Sequence, residues 1–222
     1  MRRLAVLARW PKTGLVKTRL SPALPPVLAH QLYVGMLLDT LSVCGASDSG
    51  ERLLYWADAP ARRDSLPVPS HVAARDQDGP DLGHRLRSAF EDLLAGPTDR
   101  AVVIGADCPD LNPGRIGEAF DALESHDVVL GPTLDGGYYL LGLRRRAPAL
   151  FDGVSWGTER VLEQTLVRAE RCGLEVSLLG PLSDLDTPAD LVAYVARRCA
   201  APGATARQTD AVLRTMGLLP PA

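Results

Sequence analysis

The chain has 222 residues, with 24 Lys and Arg against 27 Asp and Glu for a formal net charge of −3, which supplies no field for nucleic acid or an anionic membrane as the main partner. An apolar fraction of 46% over this length suits one large α/β domain with a full core and argues against two. Cys44, Cys108, Cys172 and Cys199 form no C-x-x-C pair, so neither a zinc site nor a disulfide framework is indicated, and a reducing, cytoplasmic setting is expected.

Met1-Arg2-Arg3 before Leu4 to Ala8 has the outline of a signal peptide, but the apolar run is short and is broken by Arg9 and Pro11, so it reads as a first strand. No stretch is expected to be long enough to span a bilayer. After the strand, Arg9 to Leu20 carries one glycine, Gly14, and four cations, Arg9, Lys12, Lys17 and Arg19. Such a loop can wrap a polyphosphate, with backbone amides as donors, Arg19 as a fork and Lys17 as a compact charge; the plain alternative is a solvated basic surface. It is not a Walker loop, since no G-x-x-x-x-G-K is present.

A helix is expected from Pro26 to Cys44, where Leu28, Leu32, Met36 and Leu37 recur at helical spacing, then a strand at Leu53 to Ala57. Leu82, Leu86, Ala89, Phe90 and Leu93 mark a second helix, and His84 at its start reads as a surface residue. The run Val102 to Ala106 is too short for a helix and reads as a buried parallel strand delivering Asp107, with Asp110 close by, to the carboxyl edge of a sheet. The plain alternative is that these aspartates cap the helix opened by Asn112-Pro113 and continued by Ile116, Ala119, Phe120 and Leu123. Cys108, between two carboxylates, reads as packing and not as a nucleophile.

Val128 to Leu130 is a further strand, followed by the loop Gly131 to Gly137 and a returning strand from Tyr138 to Leu143. Its glycines permit close approach to a ligand; a plain hairpin turn is the alternative. Arg144-Arg145-Arg146 reads as a solvated turn. Trp156 is either an acceptor-stacking aromatic or a plug between helix and sheet, and a helix bearing Val161, Leu162 and Leu166 follows it. Asp184 and Asp186 precede a helix start in which Thr187 caps, Pro188 opens the first turn and Asp190 meets the positive helix end. The segment after Cys199, with a weak helical pattern from Thr209 to Met216, is expected to be a peripheral or oligomer-contact appendage, which divides the chain into 1–200 and 201–222. Alternating strands and helices build βαβ units and a mainly parallel sheet.

Asp107, the later pair Asp184 and Asp186 and the early basic loop together suggest a divalent metal holding a phosphorylated substrate. In order, P-x-x-G-x-x-K-T-R-L, Gln77 to Arg85, Gly105 to Leu111, Asp135 to Tyr138 and Asp184 to Pro188 resemble a bacterial glycosyltransferase-like family of the GT-A, or nucleotide-diphospho-sugar transferase, superfamily, over nearly all of Leu4 to Val195. Lys17 to Pro22 and the helix after it also resemble 2-phospho-L-lactate guanylyltransferases.

The resemblance implies a three-layer GT-A sandwich with a mixed, mostly parallel sheet. It implies Asp107 and Asp186 as ligands of Mg²⁺ or Mn²⁺, and Lys17 and Arg19, with Gly14, as phosphate-loop residues acting in catalysis beside Asp107. Gln77, Gly79 and Gly83 fall in the nucleoside region, and Asp135, Gly136 and Gly137, with Trp156, on the acceptor side. Two departures from the family pattern are Arg9, where relatives often have lysine, and Thr13, where many have a second proline. The implied function is transfer from an activated nucleotide: nucleotidyl transfer from a nucleoside triphosphate to a phosphorylated acceptor, with glycosyl transfer from a nucleotide sugar as the alternative and a non-catalytic nucleotide-binding subunit as a remote third. Partners are then the nucleotide and a small acceptor, with a homo-oligomer open.

Overall fold

The computed structural model of the protein describes residues 1–61, 68–201 and 205–221. Among these residues seven strands, β1 (Arg2–Arg9), β2 (Glu51–Ala57), β3 (Ala73–Asp76), β4 (Arg100–Ile104), β5 (Val128–Pro132), β6 (Tyr138–Leu143) and β7 (Val176–Leu178), form one sheet in the order β3-β2-β1-β4-β6-β5-β7. Only β6 runs against its neighbours β4 and β5; every other pairing is parallel. Six α-helices accompany them among the described residues: α1 (Pro26–Ala46), α2 (Leu82–Leu93), α3 (Pro113–Ala122), α4 (Val161–Arg171), α5 (Pro188–Ala200) and α6 (Arg207–Thr215). This is the α/β sandwich expected, with its mixed, mostly parallel sheet.

Alternation along the strands feeds two cores. Leu4, Val6 and Ala8 of β1 face a cluster shared with Leu37 and Leu41 of α1 and Ile116 and Phe120 of α3. Ala5 faces the opposite cluster, with Leu86 and Phe90 of α2 and Ala169 of α4. Apolar runs end where the strands end, so their polar successors emerge together at the carboxyl edge of the sheet.

Three expectations need correction. First, residues 205–219 are no peripheral appendage, because Ala206 and Leu213 are completely buried in a third cluster with Leu32 and Met36 of α1 and Leu191 and Tyr194 of α5. Ala206 gives α6 no side-chain cap, and Asp39 of α1 does the work instead, accepting from the amides of Gln208 (2.9 Å) and Thr209 (2.8 Å) and from the Thr209 hydroxyl (2.8 Å). Second, α1, at 21 residues, is long and apolar enough to cross a bilayer, yet its inner residues serve two of the three clusters, so here it is a core helix. Third, the arginine turn is not merely solvated: Arg144 and Arg145 converge on Asp127, and Arg146 donates to the carbonyls of Leu94 and Glu91. All four cysteines are free thiols.

Candidate active site

The phosphate-loop candidate leaves β1 at a pinned point. Tyr33 of α1 accepts from the Arg9 amide at 2.9 Å and donates to the Arg9 carbonyl at 2.8 Å, fixing where the strand lets go. Beyond it the backbone turns through Gly14 (φ +81) and then through Lys17, which is not glycine yet sits at φ 50, ψ 39. A left-handed lysine costs of order 1 kcal/mol or more and persists only where its surroundings impose it. What it achieves is direction: the Lys17 side chain is 2% exposed, and its ammonium lies 2.5 Å from Asp107 Oδ1 and 3.5 Å from Asp186 Oδ1.

Asp107 follows β4 and Asp186 immediately precedes α5, residues 79 positions apart in sequence brought to one cation. The Leu185 amide donates to the Asp107 carbonyl at 2.9 Å, tying the two loops by backbone. Neither Asp107 nor Asp110 caps α3; Asn112 does, accepting from the Arg115 amide at 3.1 Å, so the capping alternative fails. Arg19 closes the group from outside, 2.8 Å from Asp186 Oδ2, with two thirds of its side chain in solvent. Burial acts most strongly on the Lys17 ammonium and works against its charge, but Asp107 and then Asp186 outweigh it, leaving the pKa above the ordinary lysine value. Around these residues lies an open cleft of about 210 Å³, lined among others by Arg9, Lys17, Arg19, Tyr33, Asp107 and Asp186.

Gln77, at the end of β3, donates its amide to the carbonyls of Ala8 (3.1 Å) and Tyr55 (2.9 Å), so it bridges β1 and β2 at the same edge. Its NH₂ is thereby spent on backbone, and only its carbonyl oxygen remains for another partner. Gly79 (φ +127) turns the chain and accepts from Arg85 Nε at 3.0 Å before Asp81 caps α2. Gly83 has a structural reason to be glycine, because a Cβ there would lie 2.2 Å from Trp156 Nε1. Trp156 in turn stacks on Phe151, with ring centroids 6.4 Å apart, and packs against the α2–α4 cluster, so it belongs with the plug reading. His84 is an exposed side chain paired with Asp81.

On the other flank, Gly136 is pressed against the 159 carbonyl, which a Cβ would meet at 2.0 Å, and its own carbonyl accepts from Leu162 at 2.9 Å. The loop is thus fastened to the start of α4, and Asp135 stiffens it by accepting from Thr133 (2.6 Å) and from the Gly137 amide (3.0 Å). Sequence reasoning passed over Tyr33 but singled out Asp184 together with Asp186. Tyr33 reads as one more core aromatic on a helix. Asp184, half-buried and facing the charges of Asp135 and Asp190, has its carboxyl pushed up to about 6, chiefly by burial. Cys108 is buried, its thiol held far from ionisation by desolvation and then by Asp107, which fits packing.

Comparison with known proteins places this geometry in a family. The family described as uncharacterized proteins conserved in bacteria, DUF2064, matches residues 40–158, more than half of the chain. The chain belongs to DUF2064. Within reach of this DUF2064 protein lies the 2-phospho-L-lactate guanylyltransferase of Methanopyrus kandleri, 30% identical over 181 residues that cover 79% of this chain and 83% of the relative. A solved Desulfovibrio desulfuricans protein, described provisionally as a nucleotide-diphospho-sugar transferase, superposes with a TM-score of 0.89 at 30% identity over 98% of this chain and 96% of its own. At the level of fold alone, Rv0371c of Mycobacterium tuberculosis, solved in complex with manganese, matches with a TM-score of 0.55 at 16% identity over 85% of this chain and 95% of its own. The DUF2064 chain is a transferase of the GT-A kind.

Proposed function

We propose that the chain transfers a nucleotidyl group from a nucleoside triphosphate to a phosphorylated small-molecule acceptor, with Mg²⁺ or Mn²⁺ held by Asp107 and Asp186. The observation that carries this reading is Lys17, an almost wholly buried ammonium held by a left-handed backbone between two carboxylates in a cleft rimmed by further cations. The donor chemistry suits a hard divalent ion. Asp107 and Asp186 converge on the Lys17 ammonium and would hold an ion beside it, and among the described residues no group of three or more His, Cys, Asp or Glu could hold an ion alone. The remaining positions would fall to phosphate oxygens and water, the usual arrangement for Mg²⁺ in phosphoryl and nucleotidyl transfer.

When bound, such an ion neutralises charge on the phosphates and favours attack at the α-phosphorus. The protein's own part is to bind and orient. Lys17 offers a compact charge and Arg19, largely in solvent, a fork free to swing from Asp186 to a phosphate; both stabilise charge on the departing pyrophosphate. Gln77 presents its free carbonyl oxygen as an acceptor on the nucleoside side, and the stiffened Asp135–Gly137 loop lies on the acceptor side. The Methanopyrus relative, a guanylyltransferase, supports nucleotidyl transfer; the name of the Desulfovibrio neighbour is what favours the second reading, glycosyl transfer from a nucleotide sugar. What leaves distinguishes them. Purified protein is offered each nucleoside triphosphate and a panel of nucleotide sugars, with Mg²⁺ and phosphorylated small molecules. Pyrophosphate release is the expected result; free nucleoside diphosphate from a sugar donor, without triphosphate binding, overturns it.

A further inference from the structure

Helix α5 touches both catalytic loops, one at each end. In its first turn Asp190 Oδ2 accepts from the amides of Asp186 (3.2 Å) and Thr187 (2.7 Å) and from the Thr187 hydroxyl (2.8 Å), so the carboxylate that answers the Thr187 cap also holds the backbone of Asp186. In its last turn two consecutive arginines reach Asp110, three residues beyond Asp107: Arg197 Nη2 lies 3.1 Å from Oδ2 and Arg198 Nη2 3.5 Å from Oδ1. Arg197 is partly in solvent, whereas the Arg198 side chain is 7% exposed. A guanidinium buried that far is tolerated only against fixed acceptors. Arg198 Nε donates to Tyr194 Oη at 2.8 Å and lies 3.3 Å from Asp210 Oδ1, while its Nη2 makes no hydrogen bond among the described residues and faces Asp110.

We propose that Arg198 is a positioning residue for Asp107, acting through Asp110, so that α5 sets the spacing of the two carboxylates: Asp190 orients Asp186 from one end and Arg198 the Asp107–Asp110 loop from the other. Neither residue lines the cleft. The inference rests on the reading of Asp107 and Asp186 as the metal-binding pair. Side chains that orient metal-binding carboxylates commonly change affinity or turnover by about 10- to 100-fold when removed, without touching substrate.

The alternative is that Arg198 only glues α6 to α5 through Asp210. Two variants separate these roles because they cut the same network on different sides. Arg198→Met removes both arms, and Asp210→Asn weakens only the arm toward α6. Each is assayed for melting temperature, for kcat and KM with whichever activated nucleotide the unaltered protein turns over, and for Mn²⁺ affinity by electron paramagnetic resonance with that nucleotide present. The expected result is a loss of about 10-fold in kcat and in Mn²⁺ affinity for Arg198→Met, with nucleotide KM within about twofold, partial recovery in Arg198→Lys, and near-normal kcat in Asp210→Asn despite a lowered melting temperature. If Arg198→Met does not fold, Asp110→Asn carries the same expectation from the other side of the pair. Normal kcat and Mn²⁺ affinity in Arg198→Met or Asp110→Asn, or losses in Asp210→Asn equal to those in Arg198→Met, overturn the inference while leaving the proposed function standing. No turnover of any nucleoside triphosphate or nucleotide sugar by the unaltered protein refutes both.

Discussion

At the amino edge of the sheet Asp127 is 6% exposed and fully engaged, accepting from Arg144 (2.8 Å), from Arg145 twice (3.0 and 3.1 Å) and from the Glu175 amide (3.3 Å). At the carboxyl edge the burial is reversed: there the cation, Lys17, is hidden, and Asp107 keeps 56% of its side chain in solvent with oxygen lone pairs unspent. Both edges bring Asp together with Lys or Arg across long sequence separations. The difference is saturation. An aspartate whose acceptor positions are all filled by protein donors is structural, while one left open beside a buried charge has capacity for a ligand.

Replacing Asp107 with Ala tests the open end and has the largest expected effect. Pyrophosphate release should fall by about 10³-fold, and the melting temperature should fall as well, because the buried Lys17 ammonium loses its nearer partner and keeps only Asp186 at 3.5 Å. Retained turnover would end the functional half of the comparison. Asp127→Ala should act on stability alone, lowering the melting temperature by roughly 5–10 °C with kcat per folded molecule unchanged.

The Asp127 contribution also has a pH signature. Hydrogen bonds, first from Arg145 and also from Arg144, hold this carboxyl below its ordinary pKa despite burial, so its stabilisation is complete above the unfolded value of about 4 and drains away as pH falls below it. The melting-temperature gap between the unaltered protein and Asp127→Asn should therefore narrow in acid; a gap that widens there would contradict the assignment.

Finer contrasts lie within the basic loop. Lys17→Met should weaken nucleotide binding by about 10-fold or more and Arg19→Ala by a few-fold, with salt eroding the second effect because Arg19 is exposed. Lys12→Ala, at an exposed position, should change it by less than about twofold. Titration calorimetry at matched salt decides, and equal losses for all three would reduce the loop to a generic electrostatic patch.

How much of this was legible in the sequence follows from what each element is made of. β1 and β4 announce themselves as apolar runs cut off by polar residues, and the same cut-off located Asp107. β3, Ala73–Asp76, is an edge strand exposed along its whole length, and β7 is three residues long, so neither has an apolar pattern to find. α6 was underrated because Thr209 and Asp210 look like surface residues. They are buried because Asp39, 170 residues before Thr209, and Arg198 on the preceding helix supply their partners, and no periodicity records a partner. Gln77 and Gly83 were found by family likeness, but their strand-bridging and Trp156-accommodating roles needed coordinates.

The cap that Asp39 provides to residues 208 and 209 spans about three quarters of the chain. During synthesis α1 leaves the ribosome well before α5 and α6, so one side of it lacks their cover until they have been made. An apolar helix, long enough to attract membrane or chaperone, must wait through that interval with Leu32 and Met36 uncovered. Closing so distant a contact is slow, and the interval before closure is when this chain is most open to misassembly.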